Sequence, residues 1–396
     1  MIRGSRLAFL FLITILSITS AGKLYKIPSI DDIEAYYLNN HADSNCLIVC
    51  SIHGNEPVGY QLMNKLLFYH TGNYFPQDFN YCIVLQPSRY RILNNRRNNF
   101  EGLDPNRTFI NLFSNSSFFI VSVIKKYKPI FIIDIHQARR ENVDFMYGFG
   151  NYCKIINNLY KVDELYGLSR TSIYNSTFYS LKKLQEDLEI GSLQVFKSNG
   201  IRVSRYVPLG KEEPYYAVSV LRNFGASLGI FSVLFELPYS ENNIHTLEKV
   251  LKNYLEWLSK NKQKLAEYNY SAKKLEKEYF LSRIYIIPLH YEGVDKLLKF
   301  LDVFDINYYL STEIQAKAWG FDITTINLKD KDEFKNFIYL DIGVKPKKYD
   351  IQARFYIVEA NTLSSFILNP IYGESIWNFA VFQYSKNYLP VYIKYE

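Results

Sequence analysis

Two short segments each bring a histidine to the end of an apolar run. In SIHGNEPVG (51–59) His53 is followed three residues later by Glu56, and in IIDIHQ (132–137) His136 closes a run of branched aliphatic residues. A His and a Glu at that spacing, in a turn-forming stretch, can aim a nitrogen and a carboxylate oxygen at one point, and His136 can supply a third ligand. Two imidazoles and one carboxylate, with the fourth position left to water, form the ligand set of a catalytic rather than a structural zinc. A His-x-x-Glu arises by chance often enough to carry little alone; its placement after an apolar run, repeated at His136, carries more. Asp134, two residues before His136 and so on the same strand face, can orient that imidazole. Glu236 lies inside VLFELPY, where an unpaired carboxylate is costly to bury. Beside a metal-activated water it can take a proton and hand it to a leaving amine; a core arginine partner is the structural alternative. In RRNNFEGLDPNR (96–107), Arg96, Arg97 and Arg107 flank a Gly-containing turn. Planar guanidinium groups there could bind a carboxylate or polarise a carbonyl, or form no more than a solvated basic loop. His41, His70, His245 and His290 have no carboxylate at ligand spacing and take no role.

The elements that would position these residues are short apolar runs. NCLIVCSI (45–52), YCIVLQ (81–86), PIFIIDI (129–135) and IFSVLFEL (230–237) have the length of buried strands. Between them, VGYQLMNKLLFYH (58–70) and SFFIVSVIKKY (117–127) have helical length and spacing. Strands alternating with helices predict an α/β domain: a mixed, largely parallel sheet with helices on both faces. Ligands bind such sheets beyond the carboxyl ends of strands, where His53, His136 and Glu236 all stand. From 244 to about 268, Leu247, Val250, Leu251, Tyr254, Leu255 and Leu258 recur at helical spacing and predict a closing helix. The Lys-rich stretch 260–279 reads as a solvated helix face. Beyond Leu281 the texture turns strand-like (IYIIPL, NYYL, FIYLDIGV, ARFYIVEA, LPVYIKYE), with one helix candidate at 293–304. The expected organisation is a removable segment 1–21, a catalytic domain 22–275 and a smaller β-rich C-terminal domain 276–396.

Composition sets the outer bounds. A chain of 396 residues, 48% hydrophobic, can bury one large core and a smaller one, and no repeat or Gly/Ser-rich tract interrupts it. The first residues carry Arg3 and Arg6, an apolar run over 7–18 and then the small residues Thr19, Ser20 and Ala21. This predicts export to the periplasm or the outside. The run is shorter than the ~20 apolar residues that span a bilayer, so no stable membrane span is expected once the segment is removed. A net charge of +7 is modest for the length and shows no nucleic-acid footprint. Cys46 and Cys50 share one extended run and would lie roughly 13 Å apart, too far to pair. Cys50 could meet Cys82 if their strands are neighbours, but apolar flanks favour buried free thiols for these and for Cys153.

Taken in order, the segments resemble the motifs of the zinc metallocarboxypeptidase family of carboxypeptidase A and, more distantly, the aspartoacylase and succinylglutamate desuccinylase branch. HGNE resembles the family's His-x-x-Glu and DIHQ its second histidine motif, which implies one Zn2+ per chain on His53, Glu56 and His136. RRNNFEGLDPNR resembles R-x-N-x-x-G-x-D-x-N-R, which implies Arg97 on the scissile carbonyl and Asn106 with Arg107 on the substrate's terminal carboxylate. FEL resembles the catalytic Glu motif and implies Glu236. The family's active-site tyrosine, upstream of that Glu, falls on Tyr215 or Tyr216 in EEPYYAV; counting onward from Tyr215 puts the side-chain-selecting residue at Arg222, or at Leu221 or Asn223 with a one-residue slip. These matches lie within the first domain. FILNPIYGESIWNFAVF (366–382) resembles a Trp-containing C-terminal segment of some larger bacterial members. The resemblance implies a carboxypeptidase acting on a peptide, with a muropeptide of the peptidoglycan stem as a candidate substrate. A zinc deacylase of N-acyl amino acids is the alternative, and a metal-free binding module is a third class.

Overall fold

The computed structural model describes residues 15–19, 22–29, 33–68, 74–86, 97, 104–110, 112, 114–138, 143–165, 167–168, 172–206, 218, 220–238, 243–281, 283–289, 294–312, 314–329, 339–368 and 392–395. Nine strands form the larger sheet: β1 (Ile15–Thr19), β2 (Gly22–Lys26), β3 (Glu34–Asn39), β4 (Asn45–Cys50), β5 (Asn80–Gln86), β6 (Phe131–Ala138), β7 (Phe145–Phe149), β8 (Val203–Arg205) and β9 (Phe231–Pro238), in the order β1-β2-β3-β5-β4-β6-β9-β7-β8. The four central strands, which are the four apolar runs of the sequence, are parallel to one another. β1, β2 and β3 extend one side in antiparallel pairing, and β7 lies antiparallel to β9 on the other. All eight residues of β9 are buried, as a strand covered on both faces requires.

Two glycines show how that covering is achieved. A Cβ on Gly59, in the helix Val58–Phe68, would lie 3.1 Å from the Ile135 side chain; one on Gly225, in the helix Leu221–Ser227, would lie 2.7 Å from that of Ile132. Ile132 and Ile135 have opposite parity on β6 and so point to opposite faces. Helices therefore pack closely on both sides of the sheet, as the alternation of strands and helices predicts.

The expected single closing helix is two. Asn243–Lys260 ends where the Asn261 side chain donates to the Trp257 carbonyl (2.8 Å), and Lys262–Tyr279 follows. The second helix buries Leu265, Tyr268, Ala272, Leu275 and Tyr279 along one stripe, so the Lys-rich stretch is an amphipathic helix with its lysines outside. This helix runs through the expected boundary near 275.

The second sheet comprises β10 (Arg283–Pro288), β11 (Tyr308–Leu310), β12 (Ile314–Lys329), β13 (Tyr339–Ala353), β14 (Phe355–Glu359) and β15 (Tyr392–Tyr395), ordered β11-β14-β10-β15-β12-β13. The helices Val294–Val303 and Thr362–Leu368 accompany it. A small apolar cluster of Ile286, Ala318 and Phe355 belongs to this sheet alone. Tyr285, Ile287, Leu301, Val358 and Phe366 instead join the core that begins at Leu24. At the junction, buried Asp163 accepts hydrogen bonds from the Tyr279 hydroxyl and the Arg283 guanidinium, and the latter lies 5.2 and 5.3 Å from the Tyr279 and Phe280 rings.

The first fourteen residues of the expected export segment lie outside the described residues, and Ile15–Thr19 is the edge strand β1. All four cysteines are buried and free, as expected. No described helix is long and apolar enough to cross a membrane.

Candidate metal centre and catalytic site

The chain leaves β4 through Ser51, whose φ of 50° is the left-handed conformation that few side chains adopt. Its hydroxyl donates to the Glu56 carbonyl (2.7 Å) and accepts from the Tyr60 amide (3.1 Å), closing a loop in which the Glu56 amide donates to the His53 carbonyl (3.1 Å). Glu56 is thereby folded back onto His53. From β6, Gln137 reaches across: its side-chain oxygen accepts from the Val58 amide (3.0 Å), and its own amide donates to Oε2 of Glu56 (3.2 Å). The end of β6 and the start of the next helix are thus tied to one carboxylate.

Nδ1 of His53 lies 2.8 Å from Oε1 of Glu56, and Nδ1 of His136 lies 2.8 Å from Oε2. Ligand atoms of these three buried residues all fall within 4.8 Å of one another. Behind them, Nε2 of His53 stands 2.9 Å from Oδ1 of Asp104, which leaves Nδ1 to face a metal. Oδ1 of Asp134 stands 2.9 Å from Nε2 of His136, close enough for an ion pair but not aligned as a hydrogen bond. Each nitrogen–carboxylate approach at Glu56 needs a proton between the partners, and one divalent cation can replace both. The donor set therefore fits a zinc ion.

Electrostatics follow the same geometry. Burial alone would raise Glu56, but the His53 and His136 rings outweigh it and hold the carboxyl well below its usual range. Burial would likewise raise Asp104, yet His53, Arg107 and Arg97 hold it low. For His136 burial works downward, and the Asp134 and Glu56 charges lift the imidazole well above its usual value.

Glu236 pairs in register with His136 across the parallel β6–β9 ladder and is 5% exposed. Burial, with the neighbouring Glu56 and Asp134 charges, pushes it up to about 8 against the opposing pull of His136 and Arg97. A cation on the triad would add to that opposing pull. Arg97 bridges two of the cluster's carboxylates, donating through Nη1 to Oε1 of Glu56 (3.2 Å) and through Nε and Nη2 to Oδ2 of Asp104 (3.2 and 3.0 Å).

Asn106 and Arg107 sit in the turn Pro105–Arg107, capped by Asp104, whose Oδ1 accepts from the Asn106 amide (2.9 Å). The Asn106 side chain bridges inward: Oδ1 accepts from the Leu221 amide (2.9 Å), and Nδ2 is 3.3 Å from Nε2 of His136. Nη1 of Arg107 donates to the Asn106 carbonyl (2.9 Å). Arg222, on the helix that Asn106 holds, packs its guanidinium over Gly148 of β7, where a Cβ would lie 2.6 Å from Nη1. The structure thus gathers His53, Glu56, His136, Glu236, Arg97 and Asn106 into one cluster. Leu221 and Asn223 are buried beside Arg222. Arg96, Tyr215, Tyr216, His70, His290 and 369–391 lie outside the described residues.

Residue type and spacing alone assign no role to Asp104, Gln137 or Ser51. Asp before Pro at the start of a turn was the available signal for Asp104, but it points to a cap, not to a histidine partner.

No protein-family profile matches the chain, and no curated protein matches it in sequence. Similar solved structures include a metallo-carboxypeptidase from Pseudomonas aeruginosa in complex with (2-guanidinoethylmercapto)succinic acid, 14% identical, covering 64% of this chain and 65% of that one, with a TM-score of 0.46. A metallo-carboxypeptidase from Burkholderia cenocepacia is 10% identical over 58% of this chain and 61% of that one, with a TM-score of 0.41. A succinylglutamate desuccinylase from Chromobacterium violaceum is 13% identical over 63% of this chain and 74% of that one, with a TM-score of 0.38. The chain spans less than two thirds of the length of either carboxypeptidase.

Proposed function

We propose that the protein is an exported zinc-dependent hydrolase that removes the C-terminal residue of a peptide, with a peptidoglycan stem peptide as its candidate substrate. The observation that supports it most directly is the convergence of His53 and His136 on the two oxygens of Glu56, with Glu236 in register beside His136. His53, Glu56 and His136 would hold one zinc, which supplies a Lewis acid for the scissile carbonyl. Glu236 takes a proton from the attacking water and returns it to the leaving nitrogen. Arg97 donates to the oxygen on which negative charge develops. Arg107, with Asn106, binds the terminal carboxylate, and Tyr215 or Tyr216 supplies a substrate-binding tyrosine. Arg222 lines the pocket for the released side chain and favours acidic or diaminopimelate-type residues over Lys. Export rests on the basic and apolar pattern of the first 21 residues.

Zinc-loaded protein, incubated with peptides and muropeptides and read by mass spectrometry, should release one C-terminal residue. Amidation of the C-terminus should suppress that release, because it removes the negative charge that Arg107 would bind. Cleavage confined to N-acyl amino acids would replace the peptidase reading with the deacylase one. Failure to retain zinc after loading would remove both.

A further inference from the structure

The helix Leu221–Ser227 is only seven residues long and entirely buried, and its N-cap residue, Val220, makes no side-chain capping bond. So short a helix has little cooperativity of its own, and its position depends on what surrounds it. Asn106 grips its first amide, and Gly225 lies against the sheet, where a Cβ would be 2.4 Å from the Ser232 hydroxyl. Gly150 lies against another side, where a Cβ would be 2.4 Å from the Arg222 carbonyl and 2.8 Å from the Ala226 side chain, and Phe224 faces a third. Its ring centroid lies 5.7 Å from that of Phe109, two residues beyond Arg107, and 6.0 Å from that of Phe304, which follows the helix Val294–Val303 of the C-terminal module. The end of that module helix is clipped to the catalytic half: Nζ of Lys125 donates to the Asp302 carbonyl (2.9 Å) and pairs with Asp305 (2.6 Å).

We infer that Phe304 is a positioning residue supplied by the C-terminal module: through Phe224 it sets the helix Leu221–Ser227, and with it Arg222 and the amide held by Asn106. The module then completes the substrate side of the site without contributing a group to the metal cluster. For its kinetic consequence the inference rests on the hydrolase reading; for its structural consequence it does not.

Hydrogen exchange on the full-length chain tests the structural part. Phe304→Ala should lower protection of amides 221–227 while β6 and β9 keep theirs, and zinc content should be unchanged. Kinetics test the rest. Phe304→Ala should lower kcat/KM by about 10- to 100-fold, the scale of a small misplacement away from the reacting atoms, chiefly through KM. Phe304→Leu, which refills the space, should restore most of both. Unchanged exchange at 221–227, or a loss of thermal stability with KM intact, would overturn the positioning role. A wild-type chain that hydrolyses none of the substrates would instead overturn the hydrolase reading and leave the exchange result to stand.

Discussion

Asp104 is fully buried, and its two oxygens divide between the candidate metal ligands and the basic loop: Oδ1 serves His53 and the Asn106 amide, Oδ2 the Arg97 fork. Asp104→Asn keeps the shape but loses the charge that fixes the His53 ring. Zinc affinity should fall by about 10- to 100-fold, measured by competition with a chromogenic chelator; undiminished affinity would reduce Asp104 to a turn cap. Glu236→Gln should behave differently, retaining zinc while kcat falls by about 10²- to 10⁴-fold, because an amide cannot accept the proton. Near-normal turnover in that variant would remove Glu236 from the chemistry. The clustering of His53, Glu56, His136 and Glu236 was legible in the sequence because strand ends are where such sheets bind ligands. Asp104 was not, since its partner is brought to it only by the packing of distant segments. The motif resemblance implies a place for Arg97 on the substrate carbonyl, and the structure adds that it bridges Glu56 and Asp104.

Among the elements, the helix Lys262–Tyr279 presents Glu276 to the first amide of the helix Thr362–Leu368 (2.9 Å). Burial raises the Glu276 carboxyl, with the Thr362 hydrogen bonds and Lys273 and Lys277 acting against it. A carboxyl raised in the folded state contributes its stability below the unfolded value of ~4.3 and loses it as pH climbs through the folded value. Glu276→Gln keeps the oxygen acceptor and removes the charge. The variant should therefore gain Tm over the wild type at pH 8 and show little gain at pH 4, by scanning calorimetry. A variant that loses Tm at pH 8 would mean that the charged form is the favoured one. The four central strands were legible because a strand covered on both faces becomes an unbroken apolar run. β2, β3 and β8 were missed because partly buried strands such as EAYYLN mix polar and apolar residues. The break at Asn261 was missed because the apolar spacing continues across it and only the asparagine marks the stop.

At the scale of the molecule, the change of texture beyond Leu281 correctly announced a second sheet. Composition could not show that its inner residues share one core with the first. Asp163, Tyr279 and Arg283 lie at that seam. Removing one partner of a buried ion pair leaves the other uncompensated and costs about 3–5 kcal/mol. Asp163→Ala should destabilise the chain by that amount in one cooperative urea transition, detected alike by circular dichroism and pulse proteolysis. Two transitions, with only the later segment affected, would make the C-terminal module an independent folding unit.

The four free thiols, Cys46, Cys50 and Cys82 in β4 and β5 and Cys153 in the helix Tyr152–Leu165, all lie in the half of the chain that holds the candidate metal site and are all shielded from solvent. Burial raises every one of them, so an alkylating reagent meets little thiolate until the surrounding structure opens. Their labelling rate in iodoacetamide is thus a built-in clock for the opening of this half of the molecule. Metal loading at His53, Glu56 and His136, next to the ends of β4 and β6, should slow that clock.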